Sequence, residues 1–158
     1  MFRYRLFRGQ TVPPFEWRYV YHFQYPLDEA AMASAALLFE GEHDFASFAA
    51  PSGDEDELVP AGGGGKTARS TLRSILLSGL HRAPQSEELI YEVRGRSFLR
   101  YMVRKIVGTL LEIGRGRMTP EDIPRLFALR DQTRSGPTVP ARGLVLVAVE
   151  YPDPWKIS

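Results

Sequence analysis

The sequence contains no cysteine, which excludes disulfides and thiolate metal sites and points to a reducing cytosol. Histidine is nearly as scarce. His22, His43 and His81 stand far apart without the spacing of a ligand set, so metal chemistry is not expected. No apolar run is long enough to span a bilayer. The arginines near the N-terminus precede no apolar block of the kind a secretory signal needs. An excess of one charge is also missing, with a net charge of +1, but the charges are unevenly placed. Arg94, Arg96, Arg100, Arg104, Lys105, Arg115 and Arg117 gather around one stretch with only Glu112 against them, while Asp54 to Glu57 collect the opposite sign. A basic zone on a near-neutral chain suits a phosphate-bearing partner, or is a solvated face.

What is present is organised around Gly95 to Gly114. Advanced at about 100° per residue, Phe98, Leu99, Met102, Val103, Ile106, Val107, Leu110 and Leu111 share one broad arc. That width predicts a helix sunk in a core, with Ser97 as its N-cap and Gly114 as its stop. On this wheel Arg100 falls between Val107 and Leu111, and Arg104 lies at the arc's edge. A guanidinium there needs an anionic partner or a hydrated cleft. Alternatively, both arginines lay their stems on the core and keep their heads in water.

At 158 residues the chain is long enough for one domain with a real core. Phe2 to Phe7 alternates at period two and predicts a strand, beginning at Met1 with no turn before it, which suggests a missing upstream segment. Arg18 to Phe23 is strand-like by propensity. Asp28 caps a predicted helix from Glu29 to Phe39, closed by Gly41. The stretch from Gly41 to Phe48 reads as a loop. Its His43-Asp44 pair invites a catalytic reading, but no nucleophile stands at a fitting position. The alternative has Phe45 and Phe48 plugging the core while Asp44 and Ser47 bond local backbone. Residues 51–70, rich in glycine, proline and acids, predict a mobile loop, either a tolerated insertion or one that orders on RNA through Lys66, Arg69 and Arg73. Two strand-like runs, Thr71 to Arg82 and Glu88 to Arg94, flank a turn at 83–86. Thr119-Pro120-Glu121-Asp122 opens a short helix to Leu129. Leu144 to Val149 reads as a buried central strand. The expected class is α+β, with helices packed on a largely antiparallel sheet.

Four stretches together resemble the TruA-type tRNA pseudouridine synthases: Gly41 to Phe48, Ser97 to Gly108, Gly136 to Pro140, and Gly143 to Pro152. The run through Met102-Val103-Arg104 is the most specific, and the order and spacing fit across essentially the whole chain. The resemblance implies half of a pseudouridine-synthase fold and an isomerase that converts uridines of the tRNA anticodon stem-loop to pseudouridine. It implies no cofactor or metal, and a homodimer spanning one tRNA. Arg104 matches the arginine that pairs with the family's catalytic aspartate, and Leu144 the leucine that packs on the target base. Phe2 falls where the family has the first tyrosine of Tyr-x-Tyr, the residue that stacks on the uracil, and Tyr4 at the second. A shifted register would make Tyr4 the stacking residue. Arg96, Arg100, Lys105, Arg115 and Arg117 would form part of the RNA groove. The aspartate's own motif, Arg-Thr-Asp-x-Gly-Val-His, has no match here, and Ser70-Thr71 replaces the usual Arg-Thr. The chain therefore resembles a C-terminal half, expected to be inactive alone. The competing expectations are a non-catalytic module for structured RNA, whose binding would be salt-dependent, and a purely structural domain.

Overall fold

The computed structural model describes residues 1–50 and 70–147. The elements run β1 (Phe2–Phe7), β2 (Tyr21–His22), α1 (Glu29–Ala36), β3 (Gly41–Asp44), β4 (Leu72–Arg82), β5 (Glu88–Gly95), α2 (Met102–Gly114), α3 (Asp122–Leu129) and β6 (Leu144–Leu146). The sheet has the order β2-β1-β5-β4-β3, and β6 also pairs with β1. All pairings are antiparallel except the parallel contact between β1 and β2. This is the expected α+β class. The 51–69 part of the expected loop, with Lys66 and Arg69, lies outside the described residues, as does the chain beyond 147.

The period-two pattern of β1 explains the layering. Tyr4 and Leu6 are fully buried beneath the helices, as are their β5 partners Tyr91 and Leu89. Arg3 and Arg5 point to the other face, where they pair with Glu92 and Glu88 of β5. The helix α2 supplies the centre of the core through Met102, Ile106 and Leu110, each without exposed surface. A side chain of that size contributes about 1.5–3 kcal/mol when fully buried. The cap of α1 is as expected, Asp28 accepting the Ala31 N–H at 3.1 Å. α3 begins at Asp122, past the expected opening at Thr119-Pro120, and the Asp122 carboxylate reaches back to the Thr119 N–H in the turn before it at 2.8 Å.

Four sequence expectations are corrected. The central helix begins at Met102, not after Ser97, and its N-cap is Tyr101 in the left-handed region at φ 66°. Phe98, Leu99 and Arg100 therefore precede the helix, and the helical wheel does not describe them. Gly41–Asp44 is not loop but strand, because its backbone completes the ladder left open by β4. Of Arg18 to Phe23 only Tyr21–His22 is strand. Among the described residues Leu144–Leu146 is a three-residue strand paired with β1 alone rather than a buried central one, with Val145 38% and Leu146 54% exposed. Apolar continuity cannot distinguish a strand covered on both faces from one left partly exposed.

Candidate active site

Six consecutive residues, Val139 to Leu144, bring the expected site residues together. Their position is set by a close approach of backbone to α2. A Cβ on Gly108 would stand 1.7 Å from the Pro137 carbonyl oxygen, and one on Gly136 would meet the Gly108 backbone at 2.5 Å. Only glycines permit this contact. The Thr109 hydroxyl seals it, donating to the Lys105 carbonyl at 2.9 Å and accepting from the Gly136 N–H at 2.8 Å. Both halves of the Ser97-to-Gly108 and Gly136-to-Pro140 motifs thus meet at one seam.

Beyond the seam the chain holds two side chains through its carbonyls. Val139 accepts from Arg104 Nε at 2.8 Å, and Pro140 accepts from the Tyr4 hydroxyl. Gly143 lies against the Tyr4 ring, where a Cβ would be 2.7 Å from Cζ. Leu144 then enters β6 directly opposite Tyr4. Arg104, Tyr4 and Leu144 therefore share one locus. The Arg104 guanidinium also lies 4.8 Å from the centre of the Tyr101 ring, as does that of Arg100. Such stacking orients a guanidinium without neutralising it. Arg104 is half-buried, and among the described residues no carboxylate lies within ion-pair distance of it.

Phe2 and Tyr4 are the two candidates for the expected stacking residue. Tyr4 has no exposed surface, and burial pushes its phenol well above the ordinary tyrosine range, with Tyr21 adding and Arg104 and Arg142 opposing. Phe2 is half-buried, its ring edge-on to Phe98 at 5.2 Å, opposite Leu146 of β6. Both project to the helix-covered face.

The expected basic zone divides. Arg96 and Arg100 are exposed near the N-terminus of α2. Arg115 sits at its far end, over the rings of Phe23 and Tyr25, about 16 Å along the axis from Arg104. Arg117, also at that end, is 3.9 Å from Glu112. Lys105 is a correction. It is 8% exposed, its ammonium donates to the Gln132 carbonyl at 3.2 Å, and desolvation lowers its pKa. It is turned inward, so it is not placed to meet RNA.

The His43-Asp44 pair is structural. The Asp44 carboxylate accepts from the Ala46 N–H at 3.0 Å and the Thr71 hydroxyl, and pairs with Arg130 at 2.8 Å. The His43 ring stacks on Phe127 at 4.2 Å. Phe45 and Phe48 plug the core as expected, but Ser47 bonds distant rather than local backbone, linking the Leu126 carbonyl to the Asp131 N–H. Sequence reasoning missed Tyr101 and Arg142. Tyr101 carries no local signal, since its role lies in a left-handed backbone that propensity does not foresee. Arg142 shows itself only when the loop before β6 is seen against Tyr21. No group of His, Asp or Glu among the described residues could hold a metal, and no described helix is long and apolar enough to cross a membrane.

Comparison with known proteins supplies the rest. A family model described as tRNA pseudouridine synthase matches residues 35–152. The chain is 49% identical over 150 residues to the tRNA pseudouridine synthase A of Solibacter usitatus, covering 95% of this chain and 55% of that protein. It is 40% identical over 151 residues to the Moorella thermoacetica protein of that name, covering 95% and 55% respectively. For the Halalkalibacterium halodurans protein the values are 38% over 144 residues, 91% and 49%. The chain spans about half the length of the curated relatives it matches. On the strength of that match, and of the seam that carries its motifs, this chain belongs to the tRNA pseudouridine synthase family.

Proposed function

We propose that this chain is the C-terminal half of a tRNA pseudouridine synthase, in which it supplies one wall of the uridine pocket and part of the RNA groove. The observation that carries the reading is Arg104, a half-buried guanidinium fixed through Nε by the Val139 carbonyl and by the Tyr101 ring. Its remaining N–H groups suit a carboxylate, and a charge-assisted pair would hold that acid ionised at neutral pH. In the resemblance this acid is the aspartate of Arg-Thr-Asp-x-Gly-Val-His, carried by the other half of the enzyme.

The chemistry follows from what each group offers. The ionised carboxylate acts as nucleophile or base on the flipped uridine, the N-glycosidic bond breaks, and the base turns and rejoins through carbon. No cofactor or metal is required. Flipping costs a few kcal/mol of unstacking, which stacking and edge contacts in the pocket offset. Leu144 packs on the base. Phe2 is the better stacking residue, because Tyr4 is fully enclosed and its hydroxyl is committed to Pro140. Arg96 and Arg100 extend the groove at the α2 N-terminus. The family resemblance further supports a cytoplasmic homodimer with tRNA anticodon stem-loops as substrate, and a single C-terminal domain over 1–158.

The test is a chimera that joins the first half of the Solibacter usitatus relative to this chain, assayed for uridine conversion in an anticodon-arm transcript. Conversion is expected, and Arg104→Ala should nearly abolish it while far-UV and thermal profiles stay intact. Near-normal turnover in Arg104→Ala would remove that residue from the mechanism. Tight transcript binding by the chimera without any conversion would favour a non-catalytic RNA-binding module.

A further inference from the structure

Two of the ways the described arginines are held contrast with each other. Those of β1 and α3 are neutralised by acids, as in Arg3 with Glu92 and Arg125 with Asp122. A second set rests on aromatic rings instead. Arg142 lies 5.7 Å from the ring centre of Tyr21, and Arg115 lies 5.0 Å from that of Tyr25. Neither has a carboxylate within ion-pair distance among the described residues. The rings beneath them are continuous, Tyr21 to Phe23 at 5.8 Å and Phe23 to Tyr25 at 5.4 Å. Tyr21 stands opposite Leu6 on β1, so its side chain shares the helix-covered face with Tyr4. At one end Arg142 immediately precedes the Gly143-Leu144 pair packed on Tyr4, and at the other Tyr25 is 62% exposed.

A charged group backed by a ring, not by a carboxylate, keeps its full attraction for phosphate while its plane stays oriented. The pairing of unneutralised guanidinium with accessible aromatic is what unpaired nucleotides require, cation for backbone and π-face for base. A protein partner of acidic character would use the cations but would leave the Tyr25 face without a role. We infer that Arg142, Tyr21, Arg115 and Tyr25 form a track that leads a single-stranded segment of RNA from the uridine pocket along the side of α2. The inference rests on the tRNA reading above and adds to it the residues and the strand state of the RNA they hold.

The experiment measures binding of a fluorescein-labelled anticodon-arm transcript to this chain by anisotropy across a KCl series. Arg142→Ala and Arg115→Ala should each weaken binding roughly three- to tenfold and lower the log–log salt slope by about 1. Arg125→Ala on α3 serves as control and should match wild type. Arg115→Lys should keep the slope but lose affinity, since an ammonium cannot stack in the same plane. Tyr25→Ser should weaken the transcript about fivefold or more, yet leave a blunt RNA duplex unaffected. Wild-type affinity and slope in both arginine variants, or absence of transcript binding by this chain at low salt, would overturn the track. If Arg104→Ala stops conversion in the chimera while Arg142→Ala and Arg115→Ala bind normally, the enzyme reading stands and the track falls.

Discussion

Replacing Gly108 by Ala tests the seam on which the whole site depends. On an exposed helix the change would stabilise by about 1 kcal/mol, because alanine has the better propensity. Here the new methyl would stand 1.7 Å from the Pro137 carbonyl oxygen and 2.9 Å from its carbon. Both are backbone atoms, which no rotamer change can move away. The 136–139 segment must lift off α2, and overpacking of that kind costs about 1–3 kcal/mol. Lifting also breaks the 2.8 Å bond from the Gly136 N–H to Thr109 Oγ1, a group buried with it, at about 1–3 kcal/mol more. The propensity gain offsets only part of this, so the net expected loss is about 3 kcal/mol. In a protein of this size that corresponds to a fall in Tm of roughly 6–12 °C. Urea unfolding of Gly108→Ala and of Gly79→Ala gives the comparison, since a Cβ at Gly79 would meet nothing within 4 Å. A Gly108→Ala midpoint equal to or above wild type would refute the argument that this contact sets the position of Val139 and Pro140.

Lys105 makes a pH-dependent contribution. Its folded pKa is lowered, so between that value and the ordinary 10.5 the unfolded state binds more protons, and stability from this group rises with pH. Tyr4 and Tyr91, raised by burial, act the other way above about pH 10, where only the unfolded chain ionises. The difference between wild type and Lys105→Met in urea midpoint should therefore narrow from pH 7 towards pH 10, and a constant difference would refute the desolvation argument. Asp44→Ala should lose about 2 kcal/mol of stability, as it leaves the Ala46 N–H and Thr71 hydroxyl without their acceptor. Conversion by the Solibacter chimera should survive that change at temperatures where it remains folded, and its loss there would restore a catalytic role for the His43-Asp44 pair.

Much of this was legible wherever local chemistry and tertiary packing agree. The alternation of β1, the Asp28 cap of α1, the turn at 83–86 and the acidic start of α3 are all local signals. The apolar arc marked the core side of α2 from Met102 onward, and Arg104 stood out as a charge at its border. The start of α2 was not legible. Ser97 has the better capping chemistry, but the chain instead turns through a left-handed Tyr101, a conformation that costs roughly 1–3 kcal/mol and persists only where surroundings enforce it. The Tyr101 ring there meets the guanidiniums of both Arg100 and Arg104, each 4.8 Å from its centre, and Arg100 also donates to its hydroxyl at 3.1 Å. Lys105 was misjudged because a long side chain on a basic stretch resembles a solvated one, and only the Gln132 carbonyl shows where it goes. The pairing of β6 with β1 alone among the described residues is likewise invisible in Leu-Val-Leu itself.

The run from Val139 to Leu144 acts as a ruler. Its carbonyls at 139 and 140 grip a guanidinium and a phenol, and its last residue must arrive on β1 in register with Tyr4. Ala141–Gly143 makes a single 3-10 turn between the grips and β6, so a residue gained or lost there must be taken up by that turn or passed on to the β6 register, where a one-residue slip would send the leucine to the opposite surface. Its neighbour would take its place against the pocket. The length of that short turn is therefore part of what places the leucine, along with the identities of the residues that grip.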